Sequence, residues 1–382
     1  MLRFDDSKNI ETVSLSDIAE RITRKNKGNE TDLPLTISSI DGLVDQRDYF
    51  NKKVASRDMS NYFLLKKGEF AYNKSYSKGF DYGSIKMLDK YDEGALSPLY
   101  ICFALKDGTN KDYMCHYFDS QKWYEEVAMI CTEGARNHGI LNVSPTDFMN
   151  MSLTLHSDAE EQQKIADCLS SVDAVITDYE AQVENMQNQK KGVMQKLFSQ
   201  EVRFKSDDGS EYPEWNSFTL GDIFEYERPD KYIVKTTDYT EEQLTPVLTA
   251  NKGFLLGYTE ETEGIHDETP TILFDDFTCD SKYVDFKFKV KSSAMKLLYM
   301  KDKSMPLKYG YELLNFIDFK PQGHARHWIS IMQPIEVQIP CLEEQQKIAD
   351  CLTAFDEAIE DLRETVQHWK NIKKGLLQQL FA

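Results

Sequence analysis

Ten consecutive residues, Glu160 to Leu169 (Glu-Glu-Gln-Gln-Lys-Ile-Ala-Asp-Cys-Leu), recur letter for letter as Glu343 to Leu352, 183 positions further on. An identity of that length marks an internal duplication, and a duplication constrains the fold before any other feature does. The likeness runs on to the ends of both segments. Lys190-Lys191-Gly192 matches Lys373-Lys374-Gly375, and Gln195, Leu197 and Phe198 match Gln378, Leu380 and Phe381. Fainter echoes extend it. Arg3-Phe4 followed by Leu15-Ser-Asp-Ile18 parallels Arg203-Phe204 followed by Leu220-Gly-Asp-Ile223, and Gly134-Ala-Arg136 parallels Gly323-His-Ala-Arg326. The chain therefore reads as variable half, helix, variable half, helix.

The repeated segments carry apolar residues at alternating steps of four and three. In the first these are Ile165, Leu169, Val172, Ile176, Tyr179 and Val183; in the second, Ile348, Leu352, Phe355, Ile359, Leu362 and Val366. An unbroken period of 3.5 residues is the coiled-coil pattern. Neither seam can face water alone, so the two helices, each about 57 Å long at ~1.5 Å per residue, are expected to pair with each other. An antiparallel pair is favoured, because a parallel one makes a variable half cross the full length of the rod. Lys190 and Lys373 interrupt the two seams at equivalent places. They either fix the register or let their stems snorkel to the surface. Gly192 and Gly375 either permit close helix approach or mark where the helices loosen. The predicted fold class is α+β: two mixed α/β domains, 1–156 and 201–341, separated by two long repeated helices, 157–200 and 342–382, that form an antiparallel coiled coil.

Composition narrows the function. The 382 residues include 45 basic and 64 acidic groups, a formal charge of −19, which is the wrong sign for a protein that clamps nucleic acid unaided. The acid surplus is heaviest in 201–341. Apolar runs stay far short of the ~20 residues of a membrane span. The start, Met-Leu-Arg-Phe-Asp-Asp-Ser-Lys, lacks the pattern of a secretory signal. Seven cysteines with no Cys-x-x-Cys pair read as reduced thiols of a cytoplasmic protein. No phosphate-binding loop, zinc helix or nucleophile elbow is present, and Cys102, Cys115, His116, Cys131 and His138 lack zinc-site spacing. No catalytic residue and no metal site is expected.

Four stretches suit a nucleic-acid surface. Asn73-Lys-Ser-Tyr-Ser-Lys-Gly79 interleaves amide, cation and aromatic: Lys74 and Lys78 suit phosphate, Asn73 suits adenine, and Tyr76 can pack on sugar. An ordinary solvated loop offers the same residues. In Lys282-Tyr-Val-Asp-Phe-Lys-Phe-Lys-Val-Lys291, strand alternation points Phe286, Phe288 and Val290 inward and Lys287, Lys289 and Lys291 outward, with Lys282 at the start. A solubilised edge strand reads identically. Arg136 and His138 in the first half, and His324, Arg326 and His327 in the second, place Arg and His in a turn before a strand. Base reading and a structural turn are near even for them.

The helix openings Glu-Glu-Gln-Gln-Lys-Ile-Ala, the closings Lys-Lys-Gly-Val-Met-Gln-Lys-Leu-Phe (190–198) and Lys-Lys-Gly-Leu-Leu-Gln-Gln-Leu-Phe (373–381), and the duplicated layout resemble the specificity subunit of type I restriction–modification systems over essentially the whole chain. Ile339-Pro340-Cys-Leu-Glu343 looks like that family's strand, proline and helix start. Lys67–Tyr76 and Leu96–Tyr100 look like its target-recognition sequence. The resemblance implies that each variable half is a target-recognition domain reading one half of a split, asymmetric site in double-stranded DNA, and that the coiled coil sets the unread gap. It implies two modification (methyltransferase) subunits carrying S-adenosylmethionine, and restriction (endonuclease/translocase) subunits using ATP and Mg. The chain itself is then non-catalytic. Two features depart from the pattern: Leu153–Glu160 has no proline before the first helix, and the −19 charge disfavours DNA. Competing readings are a protein-interaction scaffold with two binding modules on a spacer, and an acidic DNA mimic.

Overall fold

A computed structural model describes residues 10–50, 55–56, 58–131, 141–240, 244–250, 253–317, 319, 321 and 325–381. The chain divides into two compact units. One comprises Met1–Tyr179 with Thr365–Ala382, the other Glu180–Glu364. The long helices, Ala159–Phe198 and Leu342–Leu380, are thus shared. Each unit holds one variable half, the start of one helix and the end of the other.

In the first unit the strand Ile10–Ser14 pairs antiparallel with Ser152–His156, closing the variable half beside the first helix. Between them lie two four-stranded sheets. One is antiparallel, in the order Ala19–Arg21, Ile101–Leu105, Phe70–Asn73, Ser84–Met87. The other runs Gly42–Asp45, Pro34–Ser38, Glu93–Leu96, Phe63–Lys66, with one parallel pairing between Pro34–Ser38 and Glu93–Leu96. The first sheet buries Phe70, Tyr72 and Phe103 against Tyr113, Tyr117, Trp123 and Phe148. Tyr72 stacks flat on Phe148 at 4.5 Å. The same core takes in Ile165 and Leu169 from the start of the first helix and Leu377, Leu380 and Phe381 from the end of the second. Each such buried aliphatic side chain contributes about 1.5–3 kcal/mol.

The second unit repeats the plan. Asn216–Thr219 pairs antiparallel with Glu336–Ile339. A four-stranded antiparallel sheet runs Phe224–Glu227, Met295–Met300, Thr271–Asp275, Ser281–Val284. A three-stranded sheet runs Leu255–Thr259, Thr245–Leu248, Lys289–Val290. The core joins Phe224, Phe274, Tyr309 and Trp328 to Leu197 and Phe198 at the end of the first helix and to Ile348 and Leu352 at the start of the second.

The echoed tetrapeptides become matching structures. Leu15–Ile18 and Leu220–Ile223 are single helical turns, each opened by a capping box. The Ser14 N–H donates to Asp17 at 2.9 Å and the Thr219 N–H donates to Asp222 at 2.8 Å. Arg203 forks onto buried Glu344 at 3.1 and 2.7 Å, joined there by the Trp215 indole at 3.0 Å, which pins the start of the second helix. The paralleled Arg3 lies outside the described residues. The missing proline before the first helix has little consequence. Gln162 donates to the His156 carbonyl at 2.6 Å, as its duplicate Gln345 donates to the Pro340 carbonyl at 2.9 Å.

Within each unit the two helix segments run antiparallel. In the first, Val172 and Ile176 pack with Val366 and Trp369, and Tyr179 joins them. In the second, Leu197 and Phe198 meet Ile348, Ala349 and Leu352. Ile165, Leu169, Val172, Ile176, Ile348, Leu352, Ile359 and Val366 are buried. Tyr179, Val183, Phe355 and Leu362 are half-buried. The seam lysines fix pairs: Lys190 binds Asp356 at 2.8 Å and its duplicate Lys373 binds Asp173 at 2.7 Å. Gly192 and Gly375 have nothing within 4 Å of where a Cβ would stand among the described residues, so they serve no close approach there.

Candidate nucleic-acid interface

In the first unit the loop Asn73–Gly79 sits at the tip of a hairpin whose strands close with Asn73 opposite Ser84. Hydrogen bonds tie the loop to itself and to its neighbours. The Asn73 side-chain oxygen accepts from the Ser75 N–H at 3.0 Å, an Asx turn. The Phe80 N–H donates to the Ser77 carbonyl at 2.8 Å, and Gln121 donates to the Gly79 carbonyl at 2.9 Å. Gly79 has φ +82°, a left-handed conformation suited to glycine. Tyr76 projects from this frame 59% exposed, and Lys78 is also exposed. The structure therefore places Lys74, Tyr76 and Lys78 on one hydrogen-bonded loop, while it spends the Asn73 oxygen on the turn. Arg136 and His138 lie outside the described residues.

The second unit departs from the sequence reading. Lys282–Lys291 does not form one strand. Ser281–Val284 belongs to the four-stranded sheet, the chain breaks at Asp285, and Lys289–Val290 joins the three-stranded sheet. Lys289 points inward: it is 1% exposed, paired with Glu261 at 3.1 Å and donating to the Glu263 carbonyl. It is not a surface cation, because a neighbouring carboxylate and carbonyl satisfy it in place of water. Phe286, expected inward, is exposed, as is Lys287, while Lys282 is half-buried.

His327 is a second correction. It is buried, with neither ring nitrogen bonded among the described residues, so it cannot reach a ligand at the surface. Its neighbour Arg326 is exposed, with the guanidinium 5.8 Å over the Phe277 ring and a long contact of 3.4 Å to the Ser293 hydroxyl. Asp276 holds this turn in place: its carboxylate accepts from the His327 N–H at 3.1 Å and the Trp328 N–H at 2.8 Å, and pairs with Lys296 at 3.1 Å. His324 lies outside the described residues. Asp276 and Lys296 were not found in the sequence, because their partners stand tens of residues away and Lys296 lies in an otherwise apolar strand.

The variable halves also reach the helix pair. In the second unit, Glu312 of the helix Leu307–Ile317 lies 2.8 Å from Lys190, and Lys308 lies 2.9 Å from Asp356. Burial pushes the Glu312 carboxyl above its ordinary pKa despite Lys190. Lys190 and Lys308 hold Asp356 below its own, against the opposing effect of burial. In the first unit Asp119, from the helix Lys111–Asp119, binds Lys86 at 2.7 Å and approaches Lys373 at 3.5 Å. Burial acts to raise the Asp119 pKa, but the two lysines outweigh it. His116 donates to or accepts from Ser170 at 3.1 Å, and burial and Lys373 depress its pKa.

Among the described residues no group of three or more His, Cys, Asp or Glu is placed to hold a metal, and no helix is long and apolar enough to cross a membrane.

The Type I restriction modification DNA specificity domain matches residues 212–367. The EcoR124I/EcoR124II specificity subunit of Escherichia coli is 47% identical over 139 residues, which cover 35% of this chain and 34% of that protein. The match thus spans about a third of that relative's length. The MjaVIII specificity subunit of Methanocaldococcus jannaschii is 26% identical over 309 residues, 70% of this chain and 69% of that one. Among solved structures, the S subunit of a type I system from M. genitalium covers 100% of this chain and 98% of its own, with TM-score 0.55 at 16% identity. A structure described under complex assembly and conformational transition of the type I R-M system covers 99% of both chains, with TM-score 0.53 at 13% identity. At these identities the likeness is one of fold.

Proposed function

For a chain that belongs among the type I restriction–modification specificity subunits, we propose that each unit reads one half of a split, asymmetric site in double-stranded DNA and that the helix pair docks two modification subunits. The observation that carries this is a duplicated scaffold bearing two unlike surfaces: the helix ends, closing strands and seam ion pairs repeat, whereas the loops above them do not. Unlike surfaces on like frames call for unlike half-sites. The chain supplies recognition and no catalytic group of its own. S-adenosylmethionine belongs to the modification subunits, and ATP and Mg to the restriction subunits that join them in the cytoplasm.

The charge of −19 fits this division of labour. Duplex affinity comes largely from neutralised phosphates, so the isolated chain binds DNA weakly and its partners supply most of the cations. The exposed Tyr76 and Lys78, with half-buried Lys74 beside them, provide the local positive surface of the first unit.

The test is to exchange residues 1–156 for the corresponding domain of another specificity subunit, co-express with the modification subunit, and map methylated adenines by single-molecule sequencing. One half of the methylated motif should change while the other half stays. Deleting one heptad from each helix should alter only the gap. Methylation that is independent of this chain, or a motif indifferent to the exchange, would sink the reading and favour a scaffold without nucleic acid.

A further inference from the structure

The second unit contains a concave site that its acidic composition conceals. A cavity of about 230 Å³ opens between the strand Phe224–Glu227 and the turn before Trp328. Its lining includes Tyr226, Arg228, Asp276, Lys296, Arg326 and Ile329. Lys296 and Asp276 form the pair described above, and both side chains are almost wholly buried. Lys296 also sits 4.7 Å over the Tyr226 ring. The Asp276 carboxylate is committed to Lys296 and to two backbone N–H groups, so it has little to repel an incoming anion with. Arg228 and Arg326 are both exposed, and Asp230, 3.4 Å from Arg228, is an exposed carboxylate that offsets part of that charge. Ile329 is 58% exposed beside them, an apolar side chain left to water.

The two arginines are held differently. The turn carrying Arg326 is anchored through Asp276, and its guanidinium has the Phe277 ring behind it. Arg228 follows the end of a strand and, among the described residues, is held by its exposed contact to Asp230. A braced planar fork suits bidentate bonding to the O6 and N7 of guanine, whereas an exposed cation held by one surface carboxylate suits a phosphate, which demands charge but little direction. Resting on the specificity reading above, we infer that this cavity is where the second unit reads its half-site: Arg326 recognises a guanine in the major groove, Arg228 neutralises an adjoining phosphate, and Ile329 lies against the base edges next to it.

The test uses the full chain with its modification subunits. Arg326→Ala should lower methylation at sites carrying one particular guanine of the second half-site by roughly ten- to a hundred-fold relative to sites with another base there, relaxing the motif at that position. Arg326→Lys should restore only part of the preference, since a point charge lacks the fork. Arg228→Ala should weaken binding of all sequences alike and reduce the slope of log affinity against log salt by about one. The first half of the motif is the internal control for folding and assembly. An unaltered motif in Arg326→Ala, or an equal loss on every sequence, overturns the base-reading role. A salt slope unchanged in Arg228→Ala overturns the phosphate contact. If the unsubstituted chain directs no split motif, the specificity reading itself has failed, an outcome distinct from these.

Discussion

The two units solve one packing problem with the same lysine and different neighbours. In each, a seam lysine meets an aspartate of the facing helix: Lys373 with Asp173 and Lys190 with Asp356. In each, a helix of the variable half adds a carboxylate, Asp119 or Glu312. The next group differs. His116 stands 3.9 Å from Asp173 in the first unit, while Lys308 stands 2.9 Å from Asp356 in the second. Antiparallel heptads offer few register positions where a buried cation can find an anion, so the helix residues stay paired. The variable halves need only keep the charge balanced, and their residue types have drifted.

The aromatic centres give the largest expected difference. Trp123 and Trp328 are fully buried, and replacing either with alanine should cost about 3–5 kcal/mol. The phenylalanine variants separate them. The Trp123 indole donates to the Phe118 carbonyl at 2.8 Å, whereas the Trp328 indole nitrogen has no acceptor among the described residues. Trp123→Phe should therefore cost about 1 kcal/mol more than Trp328→Phe in denaturant melts. Equal costs would mean the two cores are polar-satisfied to the same degree.

The lysines come next. Lys190→Ala leaves Glu312, 1% exposed, with Lys308 at 3.5 Å as its remaining cation among the described residues, and should destabilise by about 3 kcal/mol. Lys373→Ala should cost less, because Asp119 keeps Lys86 at 2.7 Å and Asp173 is partly exposed to water. The order of the two midpoints decides the matter. A reversed order would show that the first unit depends more on its helix pair than the second does.

His116 against Lys308 sharpens the contrast through pH. The groups facing His116 are Lys373, Asp173, Asp119 and Asp112, with burial the dominant influence, and they leave its pKa below the ordinary 6.5. As pH falls through 6.5 the unfolded chain takes up a proton that the folded site refuses. Stability of the first unit is therefore lost between 6.5 and the depressed folded value, and the penalty is complete below it. Lys308 has a raised pKa and stays charged throughout. Glu312, raised by burial, acts in the opposite sense: the second unit gains stability as pH falls through that raised value toward 4.5. Hydrogen exchange, corrected for its intrinsic pH dependence, should show residues 111–119 losing protection from about pH 7 to about pH 6 while 307–317 do not. His116→Gln should abolish the difference.

The repeated part of the molecule was legible because its information is local and periodic. The seam from Ile165 to Val183 and from Ile348 to Val366 follows from residues a few positions apart. The antiparallel pairing follows from the length of rod a variable half would otherwise cross, and the tetrapeptides at Leu15 and Leu220 stand out as echoes, though not as capped turns. The candidate interface was not legible, because its decisive contacts are long-range. Lys289 reads as outward by alternation, yet Glu261, 28 residues earlier, draws it inside, and the chain changes sheets at Asp285. His327 reads as a surface base, but Asp276 takes its backbone N–H and the ring is buried. The cavity around Arg326 draws Arg228 and Lys296 from elements remote in sequence, and no spacing rule joins them. Asn73–Gly79 falls between these cases, since an Asx turn and a left-handed glycine are local signals.

The smallest expected effect concerns Gly192 and Gly375, duplicates that lie inside the long helices with open space where a side chain would begin. Alanine at either position should stabilise the chain by up to about 1 kcal/mol, since a helical glycine forfeits that much in conformational entropy and this chain offers no clash to offset the gain. Thermal melts of the two single variants should rise together. The informative step is to repeat them with the modification subunits bound. If Gly192→Ala and Gly375→Ala raise the midpoint of the free chain but lower co-purification with those subunits, the empty space beside the two glycines is occupied in the complex, and both duplicated ends are docking surfaces for backbone held close. If co-purification is unchanged, the glycines do no work at either end, and the likeness of the two closings is inheritance from the duplication alone.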